Sequence, residues 1–156
     1  MTKLILSLAF LLSLASVIGG CGAGDVFHGD VTFTLEERHS IEHANLWLAA
    51  TLEEAPFEIV WDLPHPVDGV EVDISVASIR RGRAPSQASN VEGWTQGERA
   101  VSIRVSADHQ RLETVTAHEL GHCRGLKHHN GPGLMNPHGE SKLEWTIWDE
   151  ERKVNQ

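Results

Sequence analysis

His118-Glu119-Leu120-Gly121-His122-Cys123-Arg124-Gly125-Leu126-Lys127-His128 is the stretch that decides how this chain is read. His118 and His122 are four residues apart. On a helix they project from one face, about one turn or ~5.4 Å apart along the axis. Two imidazoles so placed can reach one zinc ion at roughly 2.0–2.1 Å each. Glu119 is rotated about 100° from the first histidine. It can therefore reach a water on that ion without occupying the ion itself. Gly125 suits a left-handed residue that stops the helix, because it has no Cβ to clash. The chain then turns, and His128 can come back under the same ion. Three histidines leave a fourth position open, which is how catalytic zinc is held, whereas structural zinc is closed by four protein ligands.

Seven residues after His128 lies Met135, within Gly133-Leu134-Met135-Asn136-Pro137. With that addition the pattern H-E-x-x-H-x-x-G-x-x-H plus a downstream methionine resembles the metzincin zinc peptidases. A methionine two residues before a proline is most similar to the matrixin branch. The resemblance in residues covers about positions 118–137. It implies a zinc-dependent endopeptidase acting on protein or peptide, with His118, His122 and His128 as ligands and Met135 as the apolar floor of a Met-turn. Glu119 would be the general base that takes the water proton and passes it to the leaving amine. In metzincins the strand before the last one ahead of the zinc helix is the antiparallel edge of the sheet and lines the cleft. Gly93, Trp94 and Thr95 fall at that place here, so residues 91–95 are expected to receive substrate as an added strand.

There are departures from the family pattern. The propeptide cysteine that silences many matrixins has no counterpart, and there is no room for a pro-domain. Residues 80–106 lack the Asp- and His-rich segment that gives vertebrate matrixins extra zinc and calcium sites. Position 129 is His, which matches none of the better-known branches, and the chain contains no tyrosine to act at the zinc. The rival reading is a non-catalytic, zinc-stapled envelope lipoprotein serving as a binding or structural module. Glu119 speaks against it, because a structural site has no use for a carboxylate beside its first ligand.

Upstream, Thr34-Leu35-Glu36-Glu37 matches a capping box. Ile41, Ala44, Leu48 and Leu52 then recur at helical spacing, so a first helix is expected to run to about Glu54, before Pro56. Residues 57–61 read as a strand. Val70, Val72, Ile74 and Val76 alternate with polar residues, the period of a half-buried strand. Residues 80–90 read as a basic loop, 91–95 as a short strand, and 96–99 as the turn of a hairpin completed by Val101, Ile103 and Val105. The zinc helix is expected from an Asp108 N-cap to Arg124. A short terminal helix is expected around 144–152, with Trp145 and Trp148 on its buried face. The implied class is α+β, zincin-like: a twisted mixed sheet of about four to five strands, an N-terminal helix, a zinc-site helix and a short C-terminal helix.

The chain has 156 residues, 40 % of them hydrophobic and 22 % charged, which is enough for one domain and its core. Residues 4–18 form an apolar run too short to span a bilayer and placed where an export signal belongs. Ile18-Gly19-Gly20-Cys21 resembles the lipobox of bacterial lipoproteins. That resemblance implies cleavage after residue 20 and a lipid on Cys21. Gly22, where an inner-membrane retention signal would show Asp, points to the outer membrane. If the lipobox reading fails, the protein is simply secreted. Domains are thus read as signal 1–20, a glycine-containing tether 21–30, and a metallopeptidase domain 31–156, taken as monomeric.

Loss of Lys3 with the signal moves the formal charge from −9 to −10, which argues against nucleic acid or anionic lipid as a partner. Cys123 points about 120° away from the mean direction of the two helical histidines and is read as a packed apolar residue. His39 and His43 lack a third ligand and are read as surface residues. His129 and His138 are read as solvated loop histidines near the zinc.

Overall fold

A computed structural model of the chain describes residues 25–65, 75–82, 92–97, 99–104, 108–138 and 143–154, side chains of 151–154 excepted. Five strands and three helices follow in order: β1 (Val26–Asp30), α1 (Leu35–Leu52), β2 (Glu58–Leu63), β3 (Ser78–Arg81), β4 (Gly93–Gln96), β5 (Ala100–Ile103), α2 (His109–Cys123) and α3 (Ile147–Val154). The strands form one sheet in the order β2-β1-β3-β5-β4. β1 runs parallel to β2 and to β3, and β3 parallel to β5. Only β4, at the end of the sheet, is antiparallel to its neighbour. This is the expected α+β class with a mixed five-stranded sheet.

α1 starts where its capping box says it should. The Thr34 hydroxyl accepts from the Glu37 N–H at 3.3 Å, and the Glu37 carboxylate accepts from the Thr34 N–H at 2.7 Å. Its end is fixed by Glu53 in the left-handed region, φ 57°. α1 and α2 pack on each other. Their apolar faces (Ile41, Leu48 and Leu52; Leu112 and Leu120) close a single core over Phe27, Ile79, Val101 and Ile103 of the sheet. Each such side chain contributes about 1.5–3 kcal/mol by leaving water.

The tether assigned to 21–30 needs correction, because its second half is β1. Phe27 is fully buried and the strand is hydrogen-bonded on both sides. Gly29 and Asp30 are poor strand formers, which is why composition suggested a linker. Here tertiary contacts override propensity. The Trp61 ring occupies the space a side chain at 29 would need, and Asp30 is sequestered under Thr32, His65 and Arg81. The signal sequence and Cys21 lie outside the described residues.

The strand read at 70–76 is also displaced. Residues 70–74 lie outside the described residues, Ser75 and Val76 are in a turn, and β3 starts at Ser78. Arg80 and Arg81, expected to open a basic loop, close that strand instead. The 91–95 strand is observed as β4, and the hairpin turn contains Gly97 at φ 60°. α3 begins three residues later than expected. Trp145 packs against the core, whereas Trp148 is 45 % exposed and so is not on a buried face.

Candidate active site

α2 is placed by both its ends. The Asp108 carboxylate accepts from the N–H groups of Gln110 and Arg111 at the start. At the finish, Gly125 takes φ 81°. Its N–H donates to the His122 carbonyl at 2.9 Å, and the Leu126 N–H donates to the Gly121 carbonyl at 3.0 Å. This pair of bonds is the Schellman stop, which turns the chain sharply out of the helix. His128 is carried back by that turn, so Gly125 acts as the helix stop read from the sequence.

The three histidines meet. His128 Nε2 lies 3.0 Å from His118 Nε2 and 3.0 Å from His122 Nε2. His118 Nδ1 is 2.7 Å from the Leu134 carbonyl, and His122 Nδ1 is 2.9 Å from the Leu126 carbonyl. A carbonyl oxygen can only accept, so both Nδ1 atoms carry a proton, and in the neutral rings both Nε2 atoms present lone pairs. Three nitrogens that face one point with at most one proton among them suit a cation. A tetrahedral zinc with ~2.0–2.1 Å bonds sets its nitrogens about 3.3 Å apart, close to what is seen. Burial pushes the His118 imidazole down to about 4, helped by His122 and His128 and opposed by the Leu134 carbonyl and Asp149. His128 is lowered as well, by burial and then by His122 and His129. Neutral imidazole is the metal-binding form.

Glu119 is buried beside this cluster, on the wall of an open cleft of about 840 Å³. The cleft is lined by residues of α2 and β4, by the 125–128 turn, and by Leu134, Asn136 and Pro137. Burial pushes the Glu119 carboxyl up to about 7, against the hydrogen bond it accepts from the Thr95 hydroxyl at 2.6 Å. The carboxylate reaches its place under β4 because residue 93 is glycine. A Cβ there would lie 2.6 Å from Glu119 Oε1 and 2.6 Å from Val115 Cγ1.

Met135 is fully buried beneath the same helix. Gly121 makes room for it, since a Cβ at 121 would come within 2.8 Å of the Met135 sulfur. The loop carrying Met135 is held by a residue that the sequence reading missed. Asp149 of α3 is fully buried and its carboxylate accepts from the N–H groups of Leu134 at 3.2 Å, Met135 at 2.8 Å and Thr146 at 2.8 Å. It also pairs with His129 Nε2 at 2.8 Å. His129, read as solvated, is therefore a buried strut that ties the residue after the third ligand to α3. Thr146-x-x-Asp149 has the form of a helix cap, the one signal in the sequence that could have pointed to this carboxylate. His138 does line the cleft and is exposed, while His39 and His43 lie on the surface as read. Cys123 is fully buried in the core.

β4 borders the cleft as the last strand of the described sheet. Pairing is antiparallel, with Gly93 opposite Ile103 and Thr95 opposite Val101. The Arg104 N–H donates to the Glu92 carbonyl at 2.7 Å, which makes 92/104 a hydrogen-bonded pair. By alternation, Gly93 and Thr95 turn their main-chain N–H and C=O away from β5, toward the open edge. Their side-chain positions face α2, and Trp94, 37 % exposed, lies on the other face.

A search of curated proteins found no match to the chain. The sequence model of the matrixin peptidases, by contrast, matches residues 16–152. That span takes in both the sheet and the histidine-bearing helix, so the chain belongs to the matrixin family and is a zinc-dependent metallopeptidase.

Proposed function

We propose that the protein is an endopeptidase in which Glu119 acts as general base beside a zinc ion held by His118, His122 and His128. When bound there, zinc supplies Lewis acidity toward a water molecule and a peptide carbonyl. Glu119 takes a proton from the attacking water and delivers it to the leaving amine as the C–N bond breaks. The single observation that carries the reading is the setting of this carboxylate. It is buried, lines the same cleft as three converging imidazoles, and is raised above the ordinary carboxyl value by that burial.

Peptide is proposed to enter as a sixth strand on β4. The outward N–H and C=O groups of Gly93 and Thr95 would hold its main chain without regard to its side chains. Cys21 is proposed to carry a lipid that anchors the enzyme in the cell envelope, on the outer membrane. No described helix is long and apolar enough to cross a membrane.

Digestion of a denatured-protein library by the purified protein, with a chelated control, tests the activity. His122→Ala should lose both zinc and cleavage. Glu119→Ala should keep its zinc while turnover falls by roughly 10²-fold or more. Full zinc and full turnover in the Glu119 variant would remove the mechanism.

A further inference from the structure

We infer that Thr95 is a positioning residue for the general base, holding the Glu119 carboxylate through its hydroxyl while its main chain faces the peptide. The inference rests on the proposed role of Glu119. The hydroxyl has one proton, and two acceptors lie near it: Glu119 Oε2 at 2.6 Å and the Glu119 main-chain carbonyl at 3.2 Å. The shorter contact, to the ionisable oxygen, is the stronger one. The other carboxylate oxygen, Oε1, sits in the space left by the missing side chain of Gly93. One strand therefore restrains both oxygens, Oε2 by a hydrogen bond and Oε1 by close packing. A glutamate side chain otherwise has up to about 1.5–2 kcal/mol of rotamer freedom.

The consequence is that β4 does two jobs at one residue. Thr95 N–H and C=O point to the edge where peptide is proposed to pair, and Thr95 Oγ1 points to the base. A peptide that straightens or shifts β4 also shifts the carboxylate. A β-branched threonine could be present only because it fits a strand. Valine would serve that purpose equally well, since it has the same shape and lacks only the hydroxyl. Replacement by proline cannot separate the two jobs, because it removes the main-chain donor and the hydroxyl together.

The test is steady-state kinetics on a peptide substrate with Thr95→Val, Thr95→Ser and Glu119→Gln, each checked for zinc content and melting temperature. Thr95→Val keeps the N–H that faces the peptide, so KM should change by less than about twofold while kcat falls by about tenfold or more. Thr95→Ser, which restores the hydroxyl, should recover kcat to within about threefold. A Thr95→Val enzyme with wild-type kcat overturns the inference. So does one that loses zinc, or a loss of kcat that Thr95→Ser shares in full. Wild-type turnover in Glu119→Gln would instead defeat the reading of the base, whatever Thr95 does.

Discussion

His118 and His122 each give their Nδ1 proton to a main-chain carbonyl, of Leu134 and Leu126 respectively, so both rings are oriented before any metal arrives. This has a consequence for pH. Burial takes His118 from an ordinary value of 6.5 down to about 4, and His128 also lies below its ordinary value. A lowered histidine is uncharged over the interval between the two values, and protons compete with the metal only below it. Zinc should thus be held at neutral pH and lost on acidification as the ligand imidazoles take up protons. In the metal-free protein the unfolded chain binds the extra protons, so stability should fall as pH drops from 6.5 toward 4. Bound zinc measured after stepwise acidification against a weak chelator checks the first point. Zinc that stays bound through full protonation of the imidazoles would mean that they are not its ligands. The ligands were legible in the sequence because spacing on one helix directs His118 and His122, and the glycine stop after them returns His128. The hydroxyl contact of Thr95 and the loop contacts of Asp149 were not, because those partners lie 24 and 14 to 20 residues away.

At the scale of elements, α2 could be read from its sequence: Asp108 opens it, Gly125 ends it, and the histidine spacing needs no tertiary information. α3 could be located but its purpose could not. It looks like a short amphipathic end-piece, yet its first turn delivers Asp149 into the loop that carries Met135 and braces His129. Removing that carboxylate leaves the N–H groups of Leu134 and Met135 and the His129 ring without the acceptor they share. Each buried donor left unpaired costs about 1–3 kcal/mol. Asp149→Ala should therefore destabilise the protein by ~3 kcal/mol or more and weaken zinc binding by about 10- to 100-fold. The carbonyl that orients His118 belongs to Leu134, in the same loop. Thermal unfolding and competitive zinc titration measure the two effects separately. Wild-type zinc affinity in a folded Asp149→Ala would show that α3 supports the fold without bracing the site.

On the scale of the whole molecule, what the sequence concealed was the first strand. Helix periodicity is visible within one element, but β1 exists only because β2 and β3 flank it, and its own residues prefer other conformations. Its place in the order β2-β1-β3-β5-β4 makes it indispensable, since without it β2 has no partner among the described strands and the core loses Phe27. The first described strand begins at Val26. Cys21 lies five residues earlier, and five residues span at most about 17–18 Å. A lipid on Cys21 would hold the sheet, and the cleft at its far edge, close to the bilayer and restrict substrates to what comes near that surface. Two truncations and one substitution test this arrangement. A chain starting at Asp25 lacks the cysteine but keeps β1, so it should be soluble and should unfold cooperatively with full zinc and full activity. A chain starting at Val31, the boundary that composition suggests, should fail to fold or should bind zinc weakly. The full chain should incorporate a labelled fatty acid in cells, and Cys21→Ser should not. A stable, active enzyme that starts at Val31 would make β1 an accessory, and equal labelling of Cys21→Ser would move the anchor elsewhere.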